Sequence, residues 1–313
     1  MEKQTLHITN GSVLTNLLTE LKVEGDYLTW QAMLCEGPTT EKVFSEEFLE
    51  LRKVHFKKFY DVEVDNELIE NELEKLNHSS RYSEIVLWFE YDLFCHINMV
   101  AVISLIKQKK INLPIYLVCS GRVKGSKNLK GLSELSSEQL LQHYKNKVLL
   151  NAEDLEMATN VWSIYCGVDH NLLKPLIVKS SSFDYLSNCL KAHLERFPDA
   201  VSGLNDLERN ILVILNTQKI TSKNHLLGYI LNYQGFFGYG DFQLKRIIDE
   251  LGVFYTIKED HLELNRDGHL ALQNQHNFAD TIDNQMIYGG VKKAAFHFSR
   301  TENKLIKSVH YDD

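Results

Sequence analysis

The sequence predicts an α/β protein with an N-terminal parallel, Rossmann-like sheet, a helical middle region and a C-terminal winged-helix-like region. Two observations favour the sheet. Continuous apolar runs at Glu84–Glu90 and Pro114–Cys119 are typical of buried central strands. Segments with apolar residues at helical spacing separate the strands, as they do in βαβ units with helices on both faces of a sheet.

Strands and helices alternate in residues 1–131. The predicted strands are Thr5–Thr9, Asp26–Trp30, Glu84–Glu90 and Pro114–Cys119. The predicted helices are Val13–Leu21, Glu41–Leu76 and Asp92–Lys107, with Ser12 as the expected N-cap of the first. Because ligands of parallel sheets bind outside the carboxyl ends of the strands, the residues that follow each strand are the first place to look for a site.

The remaining residues predict a different architecture. Residues 132–200 predict helices only. Leu204–Gln273 predicts three helices and a two-stranded hairpin closed by Asp267-Gly268, which is a winged-helix pattern. Short strands are predicted within residues 276–313, and the sequence leaves their packing partner open. The predicted domains are therefore 1–131, 132–200, 201–275 and 276–313.

Bulk properties narrow the class of protein. A net charge of −8 argues against a protein coated with positive charge for nonspecific binding to nucleic acid or membranes, but it leaves a local basic patch open. No apolar run reaches the roughly 18 residues that a membrane span needs, and the N-terminal segment begins as a strand rather than as a signal peptide. The five cysteines are scattered without a C-x-x-C pair, so we expect a reducing, cytoplasmic setting.

Polar or glycine-rich residues follow all four predicted strands of the N-terminal sheet. These candidate ligand-binding residues are Asn10, Gly11 and Ser12 after the first strand, Trp30, Glu36 and Gly37 at the second, and Ser120 and Gly121 after the fourth. The third strand ends in the acids described next. Since the carboxyl ends of parallel strands meet at one edge, we expect a ligand at that edge.

Glu90 and Asp92 are the candidate catalytic residues. Two carboxylates just beyond a buried strand would divide general acid and base roles, or bind a divalent metal such as Mg²⁺. The alternative is that Asp92 only caps the following helix, whose N-terminus favours a carboxylate. The sequence has no H-E-x-x-H motif and no His/Cys set with zinc spacing, so no metal ligand is assigned.

The loop Ser120–Gly131, with the sequence SGRVKGSKNLKG, is the candidate phosphate contact. It combines glycines with Arg122, Lys124, Lys127 and Lys130 at the carboxyl end of a strand. It is not a Walker loop, because no G-K-[ST] ends it in the required register. The alternative is a solvated surface loop with ordinary lysines.

The winged-helix-like region raises the question of DNA binding. Its predicted recognition helix, Asp241–Leu251, carries Lys245 and Arg246 together with three acids. Leu204–Gln273 contains seven Lys/Arg and nine Asp/Glu, a net charge of −2, whereas phosphate contacts require the opposite balance. This charge disfavours specific DNA binding and leaves a protein partner as the better alternative.

Several motifs resemble bacterial proteins of the domain of unknown function 1835 family. They are LHITNG, Trp30 followed by Glu36-Gly37-Pro38, LWFEYDLF at Leu87–Phe94, GLSELSSEQL at Gly131–Leu140, HLERFP, GLNDLERNIL and GGV. The resemblance covers most of the chain, including a C-terminal companion domain, and it implies a shared fold without implying a reaction. Similar proteins often have N-G-D-S where this chain has Asn10-Gly11-Ser12, so an Asp that served there as a metal ligand or base would be missing.

The sequence therefore predicts a cytoplasmic protein that binds a small phosphorylated or nucleotide-like ligand at the carboxyl edge of the N-terminal sheet. One alternative is a regulatory or adaptor protein that contacts DNA or a protein partner through the winged helix. Another is a metal-dependent phosphoesterase or nuclease. Whether the protein is an enzyme stays open at this point.

Overall fold

The computed structural model describes residues 3–282 and 285–308. Within these ranges the chain has a mixed α/β fold with a mostly parallel sheet, so the α/β class predicted from the sequence is confirmed. The outer limits of the predicted domains, residues 1 and 313, lie outside the described residues. Over the described part of the chain, no helix has both the length and the apolar content to cross a bilayer.

The secondary-structure elements alternate over the first third of the chain and become mostly helical afterwards. The strands are β1 (Gln4–Asn10), β2 (Asp26–Trp30), β3 (Gly37–Pro38), β4 (Tyr82–Phe89), β5 (Ile115–Cys119), β6 (Val148–Leu149), β7 (Tyr255–Ile257), β8 (Leu262–Leu264), β9 (Ile287–Gly289), β10 (Val291–Lys292), β11 (Phe296–Ser299) and β12 (Lys304–Lys307). The α-helices are α1 (Ser12–Glu20), α2 (Glu46–Tyr60), α3 (Asn66–Asn77), α4 (Leu93–Gln108), α5 (Ser137–Lys145), α6 (Ala152–Cys166), α7 (Lys174–Ile177), α8 (Leu186–Glu195), α9 (Asp206–Thr217), α10 (Lys223–Tyr233), α11 (Asp241–Glu250) and α12 (Arg266–Leu272).

The central sheet has five strands in the order β2-β1-β4-β5-β6. The first four are parallel to their neighbours, and β6 pairs antiparallel with β5. The chain winds outward in one direction from β1 to β2 and in the other from β4 to β5, so the strand order reverses between β1 and β4. Ligands of open α/β sheets bind where this reversal leaves a crevice at the carboxyl ends. Asn10 and Glu90 flank that position.

The structure corrects some local predictions. Residues 132–200 are not purely helical, because β6 lies within them and completes the sheet. The predicted helix Glu41–Leu76 is divided into α2 and α3 by Asp61, whose φ of 50° ends α2. Asp267-Gly268 does not close the β7–β8 hairpin; both residues lie in α12, whose N-cap is Asn265.

The helix N-cap expected at Ser12 is also wrong. The N-cap position of α1 is occupied by Gly11, with a φ of 99° that favours glycine, and no side chain there accepts a hydrogen bond. Ser12 is instead the first residue of the helix and its side chain is exposed.

The C-terminal segment, whose packing the sequence leaves open, contacts two earlier parts of the chain. β9 runs parallel to β3, with Gly37 opposite Tyr288. β11 pairs with β12 and forms a bridge from Phe298 to Asp199, just beyond the helical region. One continuous core of buried apolar residues consequently includes members of all four predicted domains, from Leu6 to Leu305.

The helix α4 is the centre of this core. Apart from Phe94, its residues from Leu93 to Ile106 are buried, as expected for a helix that is hydrophobic on all sides. It packs against α6 and α8. The N-terminus of α4 is thereby fixed at the carboxyl edge of the sheet, immediately after Glu90 and Asp92.

Candidate functional site

Asp92 is the N-cap of α4. Its carboxyl group is buried, and Oδ1 accepts a hydrogen bond of 2.8 Å from the backbone N–H of Cys95. This satisfies one of the N–H groups that a helix start leaves without an intrahelical partner. The capping role expected as the alternative for Asp92 is thus present in the structure.

A turn between α10 and α11 covers this helix start. The turn, Gly235–Gly240, has the sequence GFFGYG and is called here the covering turn. The N–H groups of Leu93 and Phe94 donate to the carbonyls of Phe236 (2.7 Å) and Phe237 (3.2 Å). A Cβ atom at Gly238 would overlap the Asp92 carboxyl group. The backbone donors that make a helix N-terminus an anion site are therefore already bound within the protein.

Asn10 links the end of β1 to α4. Its side-chain amide donates to Cys95 Sγ over 3.0 Å, and its Oδ1 accepts from the Asn98 amide over 2.9 Å. The Asn98 Oδ1 in turn accepts from the N–H of Leu34. Both polar ends of Asn10 are used internally, so the residue holds two elements together.

Glu90 anchors the start of the segment that follows the basic loop. Its Oε1 accepts from the backbone N–H of Ser133 over 3.4 Å, and a Cβ atom at Gly131 would overlap the carboxylate. Gly131 and Ser133 lie at the start of a short 3₁₀ helix, Leu132–Glu134. Burial raises the pKa of Glu90, and the hydrogen bonds from this segment oppose the rise.

Burial shifts the pKa values of the acidic groups at the carboxyl edge of the sheet. Loss of solvent raises the pKa of Asp92 to about 7, an effect that the Cys95 N–H opposes and the neighbouring Glu90 carboxylate increases. Burial also raises the pKa of the Cys95 thiol well above its usual value, and the nearby Asp92 adds to this rise. At neutral pH the edge therefore holds a neutral Cys95 thiol and an Asp92 carboxyl group that is much harder to ionise than an exposed one.

Glu90, Asp92 and Cys95 present ligand atoms within 4.8 Å of one another. Mg²⁺ prefers an octahedral set of oxygen ligands and keeps several waters. This group instead pairs two carboxyl groups with a protonated thiol, beneath the covering turn. The donor set does not fit magnesium.

An open groove lies beside this edge, along the loop that the sequence predicts as a phosphate contact. We call it the basic groove; it has a volume of about 660 Å³. Its lining includes Arg122, Lys124, Lys127, Tyr185, Asn188 and Phe236. The three cationic side chains are exposed, and within residues 3–282 and 285–308 none of them forms an ion pair.

Tyr185 holds the basic loop in position. Its ring lies where a Cβ atom of Gly121 would be, and its hydroxyl accepts from the backbone N–H of Arg122 over 2.8 Å. The N–H of Lys130 donates to the Gly121 carbonyl over 2.9 Å and closes the loop. The backbone of the loop is thus fixed at Gly121 and Lys130, while the side chains of Arg122 and Lys124 extend toward solvent.

The predicted residues Trp30, Glu36 and Gly37 lie in the interior, away from the basic groove. Trp30 is 2% exposed and packs against Phe44. Glu36 is fully buried and accepts from the Tyr60 hydroxyl and from Arg246 Nη2, the latter over 2.7 Å. Gly37, with a φ of 87°, packs so closely on the Arg52 and His55 side chains that a Cβ atom would overlap both.

The other strand-end residues differ in their exposure. Ser120 is 1% exposed, and within the part of the chain that the structure describes its Oγ has no hydrogen-bond partner. The N–H of Gly11 donates to the Trp30 carbonyl over 3.0 Å, so it too is used internally. Of the predicted site residues, Arg122 and Lys124 line the basic groove, whereas Gly121 is buried against the Tyr185 ring. Asn10, Glu90 and Asp92 meet at the carboxyl edge of the sheet.

Sequence reasoning missed the opposite wall of the groove. Tyr185 and Asn188 come from the start of α8, and Phe236 comes from the covering turn. These residues are far from the basic loop along the chain, and no local motif connects them. The one local hint is the aromatic and glycine content of the GFFGYG segment, and glycines between two helices by themselves predict no more than a turn.

Comparison with known proteins adds no assignment. No protein-family model matches the chain, and no curated protein gives a significant match to it. The resemblance to the domain of unknown function 1835 family therefore stays a prediction.

Proposed function

We propose that this protein binds a phosphorylated, nucleotide-like ligand in the basic groove. The observation that carries the proposal is the set of three cations without ion-pair partners in the described chain, which share one groove with two aromatic rings. A phosphate and a planar ring are the two chemical parts of such a ligand. The groove has a volume within the usual range of small-molecule sites.

The phosphate is assigned to Arg122, Lys124 and Lys127. Arginine donates in a fork that matches phosphate oxygens, and lysine supplies a compact positive charge. Asp184 also lines the groove, so the phosphate is assigned to the loop side, away from this carboxylate. A chain with a net charge of −8 attracts a phosphate only where cations are concentrated locally, which supports this location.

The planar part of the ligand is assigned to Tyr185 and Phe236. Both rings are half-buried, so each presents apolar area while its position is fixed by packing. The Asn188 side chain supplies a donor and an acceptor for polar groups of the ring. Glu90 and Asp92 have no direct part in this proposal, because their contacts stabilise α4 and the loop.

Ligand-induced stabilisation tests the proposal. A screen of nucleotides and sugar phosphates, with and without magnesium, is expected to raise the melting temperature of the wild-type protein. The double variant Arg122→Gln/Lys124→Gln is expected to lose that shift. Lys53→Gln, which removes an exposed charge from α2 outside the groove, is the matched control and is expected to retain it. The proposal fails if no compound stabilises the wild type, or if the double variant responds as strongly as the control.

We also propose a Rossmann-like description for the N-terminal sheet and a winged-helix-like description for the C-terminal region. The reversal of strand order between β1 and β4 supports a Rossmann-like description of the sheet. The succession of α9, α10 and α11 followed by the β7–β8 hairpin supports a winged-helix-like description. Membership of the domain of unknown function 1835 family and a cytoplasmic location are expectations that accompany them.

The geometry argues against DNA recognition by the third helix of that region. In α11, Gln243, Leu244 and Ile247 are buried. Arg246 is held by Glu36 and by Glu250 (2.6 Å), so its guanidinium is not available to a phosphate or a base. The exposed face of α11 carries Lys245, which pairs with Asp241 over 3.8 Å, so this face offers DNA phosphates no surplus of positive charge. We therefore do not favour the DNA alternative. A metal-dependent phosphoesterase or nuclease is disfavoured on a different ground, because the donor set of Glu90, Asp92 and Cys95 does not fit magnesium.

A further inference from the structure

A second groove adjoins the basic groove. It has a volume of about 550 Å³, and Asn128 of the basic loop lines both grooves. Its other lining residues lie on α10, among them His225, Gly228, Tyr229 and Tyr233. We call it the tyrosine groove.

The rings of the tyrosine groove form a continuous stripe. His225, Tyr229 and Tyr233 are spaced four residues apart, which places them on one face of α10. The ring centroids of His225 and Tyr229 are 5.2 Å apart, and the Tyr229 and Tyr233 rings are stacked at 6.2 Å. Tyr233 is 63% exposed, and a large aromatic side chain left in water at the end of a stack is available to stack further.

Gly228 keeps the tyrosine groove open. It lies within α10, where a glycine is less favourable than an alanine. A Cβ atom there would meet no atom of the described residues within 4 Å, so packing does not require the glycine. Because Gly228 has no side chain, the part of the tyrosine groove beside Tyr229 stays open to a ligand.

We propose that the two grooves together bind a single-stranded nucleic acid. This inference rests on the proposed function and extends it from a single nucleotide to a strand. One nucleotide occupies the basic groove, and the strand passes Asn128 so that following bases stack on Tyr229 and Tyr233. Proteins that bind single strands without sequence preference usually combine cationic side chains, which contact the phosphates of the strand, with aromatic side chains, on which the bases stack.

Direct binding measurements separate this inference from the proposed function. Fluorescence anisotropy would compare labelled oligo-U and oligo-dT of increasing length with a mononucleotide competitor. Affinity is expected to rise with length and then to level off when both grooves are filled. The two oligonucleotide types show whether the 2′-hydroxyl contributes.

Two variants on α10 target the tyrosine groove alone. Tyr233→Ala is expected to weaken oligonucleotide binding about tenfold, because stacking on an aromatic ring contributes that order of effect per base. Gly228→Gln is expected to weaken it as well, by filling the groove, while leaving the protein at least as stable. Neither is expected to change mononucleotide binding. Phe242→Ala, which removes a ring that is 65% exposed on α11 outside both grooves, is the matched control.

The outcomes are distinct. If mononucleotides bind and longer strands bind no more tightly, the strand inference is wrong and the proposed function stands. If neither binds, both fail. If an acidic peptide displaces the oligonucleotide with equal affinity, the grooves recognise polyanions in general and the strand inference is overturned. A dependence of affinity on salt that becomes weaker in Arg122→Gln/Lys124→Gln and not in Tyr233→Ala supports the assignment of phosphate to the cations of the basic groove and of the following bases to the tyrosine groove.

Discussion

Two sets of charged residues differ in whether their charge is bound inside the protein. The acids that follow the strands have internal partners, whereas the cations of the basic groove are exposed. Glu36 binds Tyr60 and Arg246, Asp92 caps α4, and Glu90 accepts from the segment at Ser133. Arg122, in contrast, is exposed and outside every ion pair of the described chain. The raised pKa values of Asp92 and Glu90 are of the kind that often marks a functional site, but here they belong to groups whose partners are internal. Among the predicted site residues, the charges that remain available for a ligand are those of Arg122 and Lys124 in the basic groove.

The largest change in the free energy of unfolding is expected from a substitution at Glu36. Glu36→Gln removes one charge of a buried ion pair and leaves Arg246 with Glu250 alone, so we expect a loss of about 3–5 kcal/mol in the free energy of unfolding, measured in urea. Asp260→Asn breaks an exposed pair with Lys219 and is expected to leave that free energy unchanged. A Glu36→Gln protein as stable as this control would contradict a structural role for the buried acids.

The second effect is a pH dependence at Asp92. An unfolded Asp ionises near pH 4, whereas the pKa of the folded Asp92 is raised to about 7. Between these values the unfolded state binds fewer protons, so this group lowers the stability of the folded protein as the pH rises, and the loss is complete above about pH 7. Asp92→Asn keeps the cap without titrating. We expect it to match the wild type near pH 4 and to exceed it by on the order of 4 kcal/mol near pH 8.

Asp65 provides the control for this measurement. It is the N-cap of α3, accepts from the N–H of Leu68 over 3.2 Å and is exposed. Asp65→Asn is therefore expected to follow the wild-type curve of unfolding free energy against pH. A wild type and an Asp92→Asn variant with parallel curves would show that burial of Asp92 is not the source of a pH dependence.

A smaller effect tests the contact of the covering turn with the buried edge. Gly238 and Gly235 both have a φ of 69°, so an alanine at either position is equally strained in its backbone. At Gly238 the Cβ atom would overlap Asp92, whereas at Gly235 it would meet no atom within 4 Å in the part of the chain that the structure describes. Gly238→Ala is expected to lose about 1–3 kcal/mol more in the free energy of unfolding than Gly235→Ala. Equal losses would mean that the turn does not pack on Asp92.

The smallest effect is expected in the groove. Arg122→Gln/Lys124→Gln removes two exposed charges that have no ion-pair partner among the described residues, so the free energy of unfolding should stay within about 0.5 kcal/mol of the wild type. Urea denaturation of the same preparation used for ligand binding gives this value. A large loss would show that these cations stabilise the fold and are not held available for a ligand.

The sequence predicted most of the fold at the level of elements. The strand Asp26–Trp30 has the same bounds in the structure, and β1, β4 and β5 differ from their predictions by one or two residues at an end. Apolar periodicity determines these elements, because each reflects which side of a segment is buried. The two-residue strand β6 is too short to show a period, and the C-terminal strands could be placed only by their partners, β3 and Asp199.

For the candidate site, too, some features follow from the local sequence and others depend on the tertiary structure. The sequence alone determined that polar residues follow the strands and that cations are concentrated in the loop Ser120–Gly131, because both facts are local. Only the tertiary structure decided which of these groups are available to a ligand. Asp92 became a covered cap because a distant turn supplied Gly238, and Arg122 became one wall of a groove because α8 supplied Tyr185. Availability depends on partners that are far apart along the chain, and such partners are set by packing rather than by local pattern.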